Sequence, residues 1–291
     1  MILHACRAMF RRMEKGQTNS EYCRTMVRDD DIERYYSTLF APSERQADLW
    51  AIYAFNQEVA KTRESVSEPM IGEIRLQWWR EALEGITAGT PREHPVVQAL
   101  AAVPNFTQIS FHLQQVIEGR AQDLYGEGDV SFKALKSYSE QTGGTLSKAA
   151  GLALAPDASP NTLDGLNASG CAWAMLGIIR ALPFQLTDNK EFSVFGELGQ
   201  SLSGLKKGDI AIRLQPMLDE MTAYVSDQLR LSEKASTEKA ARPVMALNSL
   251  SRKHLKALKR AGGSPFDMHV HEIGNVRRLL TLFSYHLLRI H

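Results

Sequence analysis

The chain has 291 residues, of which 44% are hydrophobic and 23% charged, proportions that exclude global disorder and a collagen-like fibre. The 34 Lys and Arg residues nearly balance 33 Asp and Glu, so the net charge of +1 creates no overall field that would favour nucleic acid as a partner. Its three cysteines, Cys6, Cys23 and Cys171, form no CxxC pair, which fits a reducing compartment and argues against a structural zinc site.

The predicted elements begin with a leader over residues 1–28. Its start is basic and has no continuous apolar stretch, so it does not have the form of a signal peptide. We expect this leader to be flexible and residues 29–291 to form one domain. No apolar run in the sequence reaches the length of a membrane span. The expected localisation is therefore cytoplasmic, with attachment to the periphery of the inner membrane as an alternative.

Apolar residues repeat every three or four positions through most of the remaining chain, which predicts amphipathic helices. The predicted segments are 43–68, 70–86, 106–119, 131–154, 163–182, 210–231, 243–260 and 273–290. The second segment places Ile71, Ile74, Trp78, Ala82 and Ile86 on one face, and the last has the cleanest repeat, with Ile273, Val276, Leu280, Phe283, Leu287 and Ile290. Strand signals are nearly absent, with only 191–198 ambiguous, so we predict an all-α fold whose helices surround a central core or cavity.

Small residues mark two places of particular interest. Gly143 and Gly144 either divide the segment 131–154 into two helices or permit close packing. Four small residues at positions i, i+4, i+7 and i+11 form one smooth stripe, composed of Gly170, Ala174, Gly177 and Ala181. This stripe allows either close helix packing or a groove wide enough for an apolar chain.

Several common functional motifs are missing. The sequence has no glycine-rich nucleotide loop of the GxGxxG or GxxxxGK[ST] type, and no HExxH or GxSxG motif. We interpret His269 and His271 as solvated or capping residues rather than a metal pair. Five basic residues between Ser251 and Arg260 form either a solvated helix face or a contact for an anionic partner or a membrane surface.

A series of short motifs follows one order along the chain. It begins with Arg34-Tyr35-Tyr36, Leu39-Phe40-Ala41-Pro42 and Tyr53-Ala54-Phe55 and continues with Asp123-Leu124, Tyr138, Gly143-Gly144-Thr145 and Arg180 closing a helix before Pro183. In this order the motifs resemble those of the squalene/phytoene synthase family over nearly the whole chain. The resemblance implies a single-domain, all-α isoprenoid-synthase fold around a deep central cavity. Enzymes of this family join two prenyl diphosphates head to head, using Mg²⁺ held by two aspartate-rich motifs.

The positions that match those two motifs lack most of the expected acids. The first motif falls on Ala60, Lys61 and Glu64, and the second on Ala181 and Gln185. Because Mg²⁺ prefers carboxylate oxygens, neither set suits the metal. The loss resembles the divergent branch of the family that includes the mitochondrial assembly factor for respiratory complex I, in which Tyr-Ala-Phe-Asn and Arg-Ala-Leu-Pro stretches are expected, here at 53–56 and 180–183.

The first functional hypothesis is a non-catalytic binding or assembly protein without a metal or other cofactor. Its expected partners are a prenyl diphosphate or an anionic lipid, and subunits of respiratory complex I or the inner-membrane surface. The candidate ligand-binding residues are Arg45, Tyr53, Lys61, Glu64, Asp123, Gly177 and Arg180. A lysine can meet a phosphate directly and an arginine can bind one through two hydrogen bonds. For Lys61 the alternative is a surface salt bridge with Glu58 or Glu64.

Two other functions remain open at this point. One is an active Mg²⁺-dependent prenyltransferase whose relocated metal site uses Glu64, Glu118 and Asp123. The other is a lipid carrier, because each buried CH₂ group contributes about 0.8 kcal/mol to the binding of an apolar tail.

Overall fold

The computed structural model describes residue 13 and residues 16–66, 68–125, 131–187, 207–235, 238–266 and 273–288. Within these ranges every regular element is a helix, which confirms the predicted all-α fold. The α-helices are α1 (Asn19–Asp30), α2 (Ile32–Thr38), α3 (Gln46–Ala60), α4 (Pro69–Thr87), α5 (Pro95–Ala101), α6 (Phe106–Ala121), α7 (Phe132–Ser139), α8 (Thr145–Leu154), α9 (Pro160–Thr187), α10 (Lys207–Lys234), α11 (Arg242–Met245), α12 (Leu247–Arg260) and α13 (Asn275–Leu288). The ambiguous segment 191–198 and His269 and His271 lie outside the described residues.

Helix α1 corrects the predicted extent of the leader. Thr18 caps the helix by accepting a hydrogen bond from the backbone N–H of Glu21, whose carboxylate accepts one from the backbone N–H of Thr18 at 2.8 Å. One face of the helix is buried in the core, through Tyr22, Cys23, Met26 and Val27. A flexible leader that runs to residue 28 is therefore wrong from residue 18 onward, since these apolar side chains leave water.

Helices α3 and α9 form the centre of the fold. Ten of the fifteen residues of α3 are buried, and the largest of these include Leu49, Ile52, Tyr53 and Phe55. The start of α9 joins the apolar cluster that surrounds α3, while the rest of α9 belongs to a second cluster with α10 and α12. Helix α9 runs from Pro160 to Thr187 with Pro183 inside it, so the predicted end of this helix at residue 182, before the proline, is wrong.

The two glycines between α7 and α8 allow close packing. The chain does not break there, because a π-helical turn over Glu140–Gly144 joins the two helices directly. A methyl group on Gly143 would collide with the carbonyl oxygen of Gly170, and a methyl group on Gly170 would collide with that of Gly143. The backbones of the π turn and of α9 therefore touch without intervening side chains.

Two of the predicted apolar faces lie only partly in the core. In α4, Ala82 and Ile86 of the predicted face are buried, whereas Ile71 and Ile74 are exposed. The buried residues of this helix also include Leu76, Trp79 and Leu83. In α13 most of the predicted stripe is also exposed, with Val276, Leu280, Phe283 and Leu287 outside and Ile273 buried. Both helices carry apolar residues on more than one side. Periodicity therefore identifies an apolar face but does not show whether that face packs against the core.

The glycine contact predicts opposite effects for two substitutions on α9. Gly170→Ala should lower the free energy of unfolding by about 1–3 kcal/mol, because the added methyl enters space that the π turn occupies. Gly177→Ala should leave that free energy unchanged or raise it by up to about 1 kcal/mol, because nothing lies within 4 Å of its methyl and alanine favours helix. Urea unfolding of both variants measures the difference, and equal effects would contradict the close contact.

Candidate functional site

A cavity of about 220 Å³ lies between α2, α3, α6, α7, the π turn and α9. One part of its wall is polar and contains Arg34, Asn56, Arg120, Tyr138 and Thr142. The opposing part belongs to α9 and contains Trp173, Ala174, Gly177, Ile178 and Ala181. The small-residue stripe thus serves both predicted purposes, since Gly170 packs closely and the three residues that follow it line an open space.

Arg34 is held at the polar wall by the residue that begins its own helix. Asp31 caps α2 by accepting a hydrogen bond from the backbone N–H of Arg34, and its carboxylate also pairs with the Arg34 guanidinium at 2.7 Å. The same guanidinium lies 5.4 Å from the ring centre of Tyr53, a predicted site residue. Burial raises the pKa of Tyr53, so its hydroxyl stays protonated beneath the arginine.

A second arginine enters the cavity with two partners. Arg120 donates to the hydroxyl oxygen of Tyr138 at 2.5 Å, and Tyr138 donates to Asp123 at 2.9 Å. Burial raises the pKa of Asp123, and the neighbouring Arg120 charge offsets part of that effect. The predicted site residue Asp123 is therefore an internal partner of Arg120 and Tyr138, placed behind the cavity wall.

Buried Glu33 forms a second polar cluster with side chains of three other helices. It contacts Arg180 at 3.0 Å, His254 at 2.8 Å and Arg278 at 3.1 Å, and so connects α2 with α9, α12 and α13. Burial alone would raise the pKa of Glu33, but the hydrogen bond with His254 and the charge of Arg180 outweigh it and lower the pKa to about 2. Arg180, a predicted ligand-binding residue, is thus engaged by Glu33.

None of the three positions of the first aspartate-rich motif belongs to the described lining of the cavity. Lys61 pairs with Asp30 at 2.6 Å, and not with Glu58 or Glu64 as the surface alternative supposed. Glu58 instead forms a buried pair with Arg75 at 2.8 Å. Glu64 is exposed. At the second motif Ala181 lines the cavity, and the side chain of Gln185 is outside the part of the chain that the structure describes.

The predicted site residues therefore separate into two groups. Gly177 lines the cavity, Tyr53 lies below Arg34, and Asp123 reaches the cavity through Tyr138. Arg45, Lys61, Glu64 and Arg180 are absent from the described lining. Arg45 instead pairs with Asp48 at 3.0 Å and donates to the carbonyl oxygen of Ala153.

The alternative metal site is not brought together. Glu118 pairs with Arg80 at 2.7 Å, Glu64 is exposed, and Asp123 is buried against Tyr138. Over the described ranges no three His, Cys, Asp or Glu side chains are placed to hold a metal ion. The charged groups of the cavity wall are guanidinium groups, which do not fit a Mg²⁺ cluster.

Comparison with known proteins establishes the family. The family model for squalene/phytoene synthase matches residues 27–276. The chain belongs to the squalene/phytoene synthase family. A crystal structure of a dehydrosqualene synthase in complex with ligand has the same fold, with a TM-score of 0.69 and 16% identity over 91% of this chain and 94% of that one.

Curated relatives within the squalene/phytoene synthase family include two kinds of protein. Complex I assembly factor 6 from Mus musculus is 34% identical over 126 residues, which is 43% of this chain and 38% of that protein. The 15-cis-phytoene synthase from Synechocystis is 28% identical over 129 residues, which is 43% of this chain and 37% of the enzyme. The matched segment thus spans less than two-fifths of the length of either relative.

Sequence reasoning missed most of the polar groups that line or adjoin the cavity. Arg34 and Tyr138 stood within family motifs, but no role followed from them. Arg120 had a local signal, because it follows the buried Val116 and Ile117 on α6 and a charged residue beside an apolar face needs a partner. The Glu33 cluster had no local signal, since its partners are 147, 221 and 245 residues away along the chain.

The Glu33 cluster predicts a stability effect that depends on pH. At pH 7 Glu33→Gln should lower the free energy of unfolding by about 3–5 kcal/mol, because Arg180 and Arg278 lose the buried carboxylate that they share. The exposed pair of Asp227 and Arg230 supplies the control, and Asp227→Asn should cost under about 1 kcal/mol.

The sign of the pH dependence follows from the lowered pKa. Glu33 has a pKa of about 2 in the folded chain and an ordinary value of 4.5. The wild type keeps this contribution above pH 4.5 and loses it as the pH falls towards 2. Urea unfolding at several pH values should show the gap to Glu33→Gln narrowing over that range, and a constant gap would contradict the assignment.

Proposed function

We propose that the protein is a non-catalytic member of the squalene/phytoene synthase family that acts as an assembly factor for respiratory complex I. The observation that carries the proposal is which residues occupy the positions of the two aspartate-rich motifs. Lys61 is paired with Asp30 outside the cavity, and Ala181 presents a methyl group where a catalytic relative would present an acid.

The reaction of the family enzymes makes the absence of those acids important. Departure of an allylic diphosphate develops negative charge, and a metal cluster held by carboxylates stabilises that charge. In the cavity described above, arginine side chains would meet an anion directly, which favours holding a ligand over ionising it. The similarity to complex I assembly factor 6 adds support of a different kind, since its identity exceeds that of the phytoene synthase over a segment of similar length.

The assembly role is tested in a strain that lacks the gene. Membranes from this strain should lose most of their NADH:ubiquinone oxidoreductase activity, and a plasmid copy of the wild-type gene should restore it. The purified chain, incubated with labelled farnesyl or geranylgeranyl diphosphate and Mg²⁺, should form no condensed product. Unchanged membrane activity would overturn the assembly role. Product formation that Glu64→Ala abolishes would instead establish the alternative prenyltransferase.

We further propose that the cavity binds an anionic head group with a short apolar segment, without Mg²⁺. Its volume of about 220 Å³ is small for a ligand site, and its wall combines Arg34 and Arg120 with the apolar face of α9. A prenyl diphosphate or an anionic lipid offers the matching chemistry. The candidate contacts are Arg34, Arg120 and Gly177, with Tyr53 and Asp123 as supporting residues.

Calorimetry with geranyl diphosphate tests this binding. We expect equal affinity with Mg²⁺ and with EDTA, because no carboxylate of the cavity wall calls for a bridging metal. Arg34→Met should weaken binding about tenfold or more, since a charged hydrogen bond contributes roughly 1.5–3 kcal/mol. Lys61→Met should leave the affinity unchanged because Lys61 is paired with Asp30 elsewhere. Binding that EDTA abolishes, or that Lys61→Met weakens as strongly as Arg34→Met, would contradict the proposal.

A further inference from the structure

The last described helix turns a row of large apolar side chains towards solvent. Val276, Leu280, Phe283 and Leu287 are 72%, 59%, 51% and 63% exposed. They follow at i, i+4, i+7 and i+11 and share one face of α13, which we call the C-terminal stripe. Leu282, on the other side of the same helix, is fully buried. Single exposed apolar residues are ordinary, but a continuous row of them marks a contact surface.

The charged residues of the last two described helices are all basic. Helices α12 and α13 contain seven Lys and Arg residues and no Asp or Glu, the basic residues being Arg252, Lys253, Lys256, Lys259, Arg260, Arg277 and Arg278. The two helices pack against each other. Burial and the nearby positive charge of Arg277 lower the pKa of Lys253, which places these two residues close together.

Three of the seven basic residues have partners on other helices. Arg252 pairs with Glu233 of α10, Lys259 donates to Ser226 of α10 at 3.4 Å, and Arg278 contacts Glu33. The other four are Lys253, Lys256, Arg260 and Arg277. The first three follow at i, i+3 and i+7 and share one face of α12.

We propose that the C-terminal stripe docks on the surface of a membrane that contains anionic lipids. The stripe would enter the boundary between head groups and acyl chains, while Lys253, Lys256, Arg260 and Arg277 contact the head groups. None of the described helices has the length and apolar character needed to cross a bilayer, so the contact is peripheral. The inference is independent of the proposed function, because it rests on α12 and α13 alone.

The charge pattern favours a membrane over a second copy of the chain. In a symmetric dimer formed by the stripe, Arg277 of each copy would approach the basic residues of the other copy. The described parts of α12 and α13 contain no Asp or Glu to balance these positive charges. An anionic lipid surface can bind both the apolar stripe and the basic residues. The apolar side chains leave water, and the basic ones gain about fivefold in partitioning for each charge that nears the surface.

Vesicle flotation with the full chain tests the proposal. The vesicles contain phosphatidylcholine alone or phosphatidylcholine with phosphatidylglycerol. One variant combines Leu280→Ser with Phe283→Ser, and its matched control is Phe111→Ser, which removes a 62% exposed aromatic side chain from α6. A second variant combines Lys253→Gln, Lys256→Gln and Arg260→Gln. Thermal unfolding checks that each variant is folded, and light scattering gives its oligomeric state.

The proposal expects the wild type and Phe111→Ser to float with the anionic vesicles only. The stripe variant should bind at least tenfold more weakly, and the basic variant about 100-fold more weakly at low salt, from about fivefold per charge. Failure of the wild type to float with anionic vesicles would overturn the proposal, and so would equal binding by the stripe variant. A wild-type dimer that the stripe variant converts to a monomer would assign the surface to a second copy instead.

Discussion

Two residues without side chains set the position of the central helix. Gly143 and Gly170 allow the backbones of the π turn and of α9 to touch, because no side chain lies between them. Further along α9, Ala174, Gly177 and Ala181 line a space that none of the described side chains fills. Helix α9 therefore packs closely against the π turn at Gly170 and lines the cavity from Ala174 onward.

The cavity wall contains two guanidinium groups, and neighbouring side chains hold both of them in place. Arg34 is fixed by Asp31 and Arg120 by Tyr138 and Asp123, so both guanidinium groups are positioned before any ligand arrives. Preorganised cations suit a bound anion, because little side-chain freedom remains to be lost. They do not suit a site that must attract Mg²⁺.

The sequence predicted the parts of this site that depend on register. The apolar repeats located α3, α6, α9, α10 and α12. The second family motif identified Ala181 and the small-residue stripe identified Gly177, and both residues line the cavity. Long-range partners were out of reach. Lys61 pairs with a residue 31 positions earlier, and nothing in the local pattern distinguished that partner from Glu58 or Glu64.

Helices at the two ends of the chain show a second limit. Helix α1 was overlooked because its apolar face is short and mixed with charged residues, yet its capping box and four buried side chains fix it. The segment that forms α13 has the cleanest apolar repeat in the sequence, yet the C-terminal stripe is exposed. Periodicity reports that a helix has an apolar face, while what covers that face is decided by tertiary structure or by a partner.

Glu33 and Arg34 are consecutive residues that serve different regions of the molecule. Glu33 holds Arg278 of the outermost helix, and Arg34 belongs to the wall of the internal space. A rotation of the short α2 cannot move one without displacing the other, because both side chains share a single turn of backbone. If a ligand in the cavity rotated α2, attachment through α13 would change the affinity for that ligand, and the ligand would change the strength of attachment by the same factor.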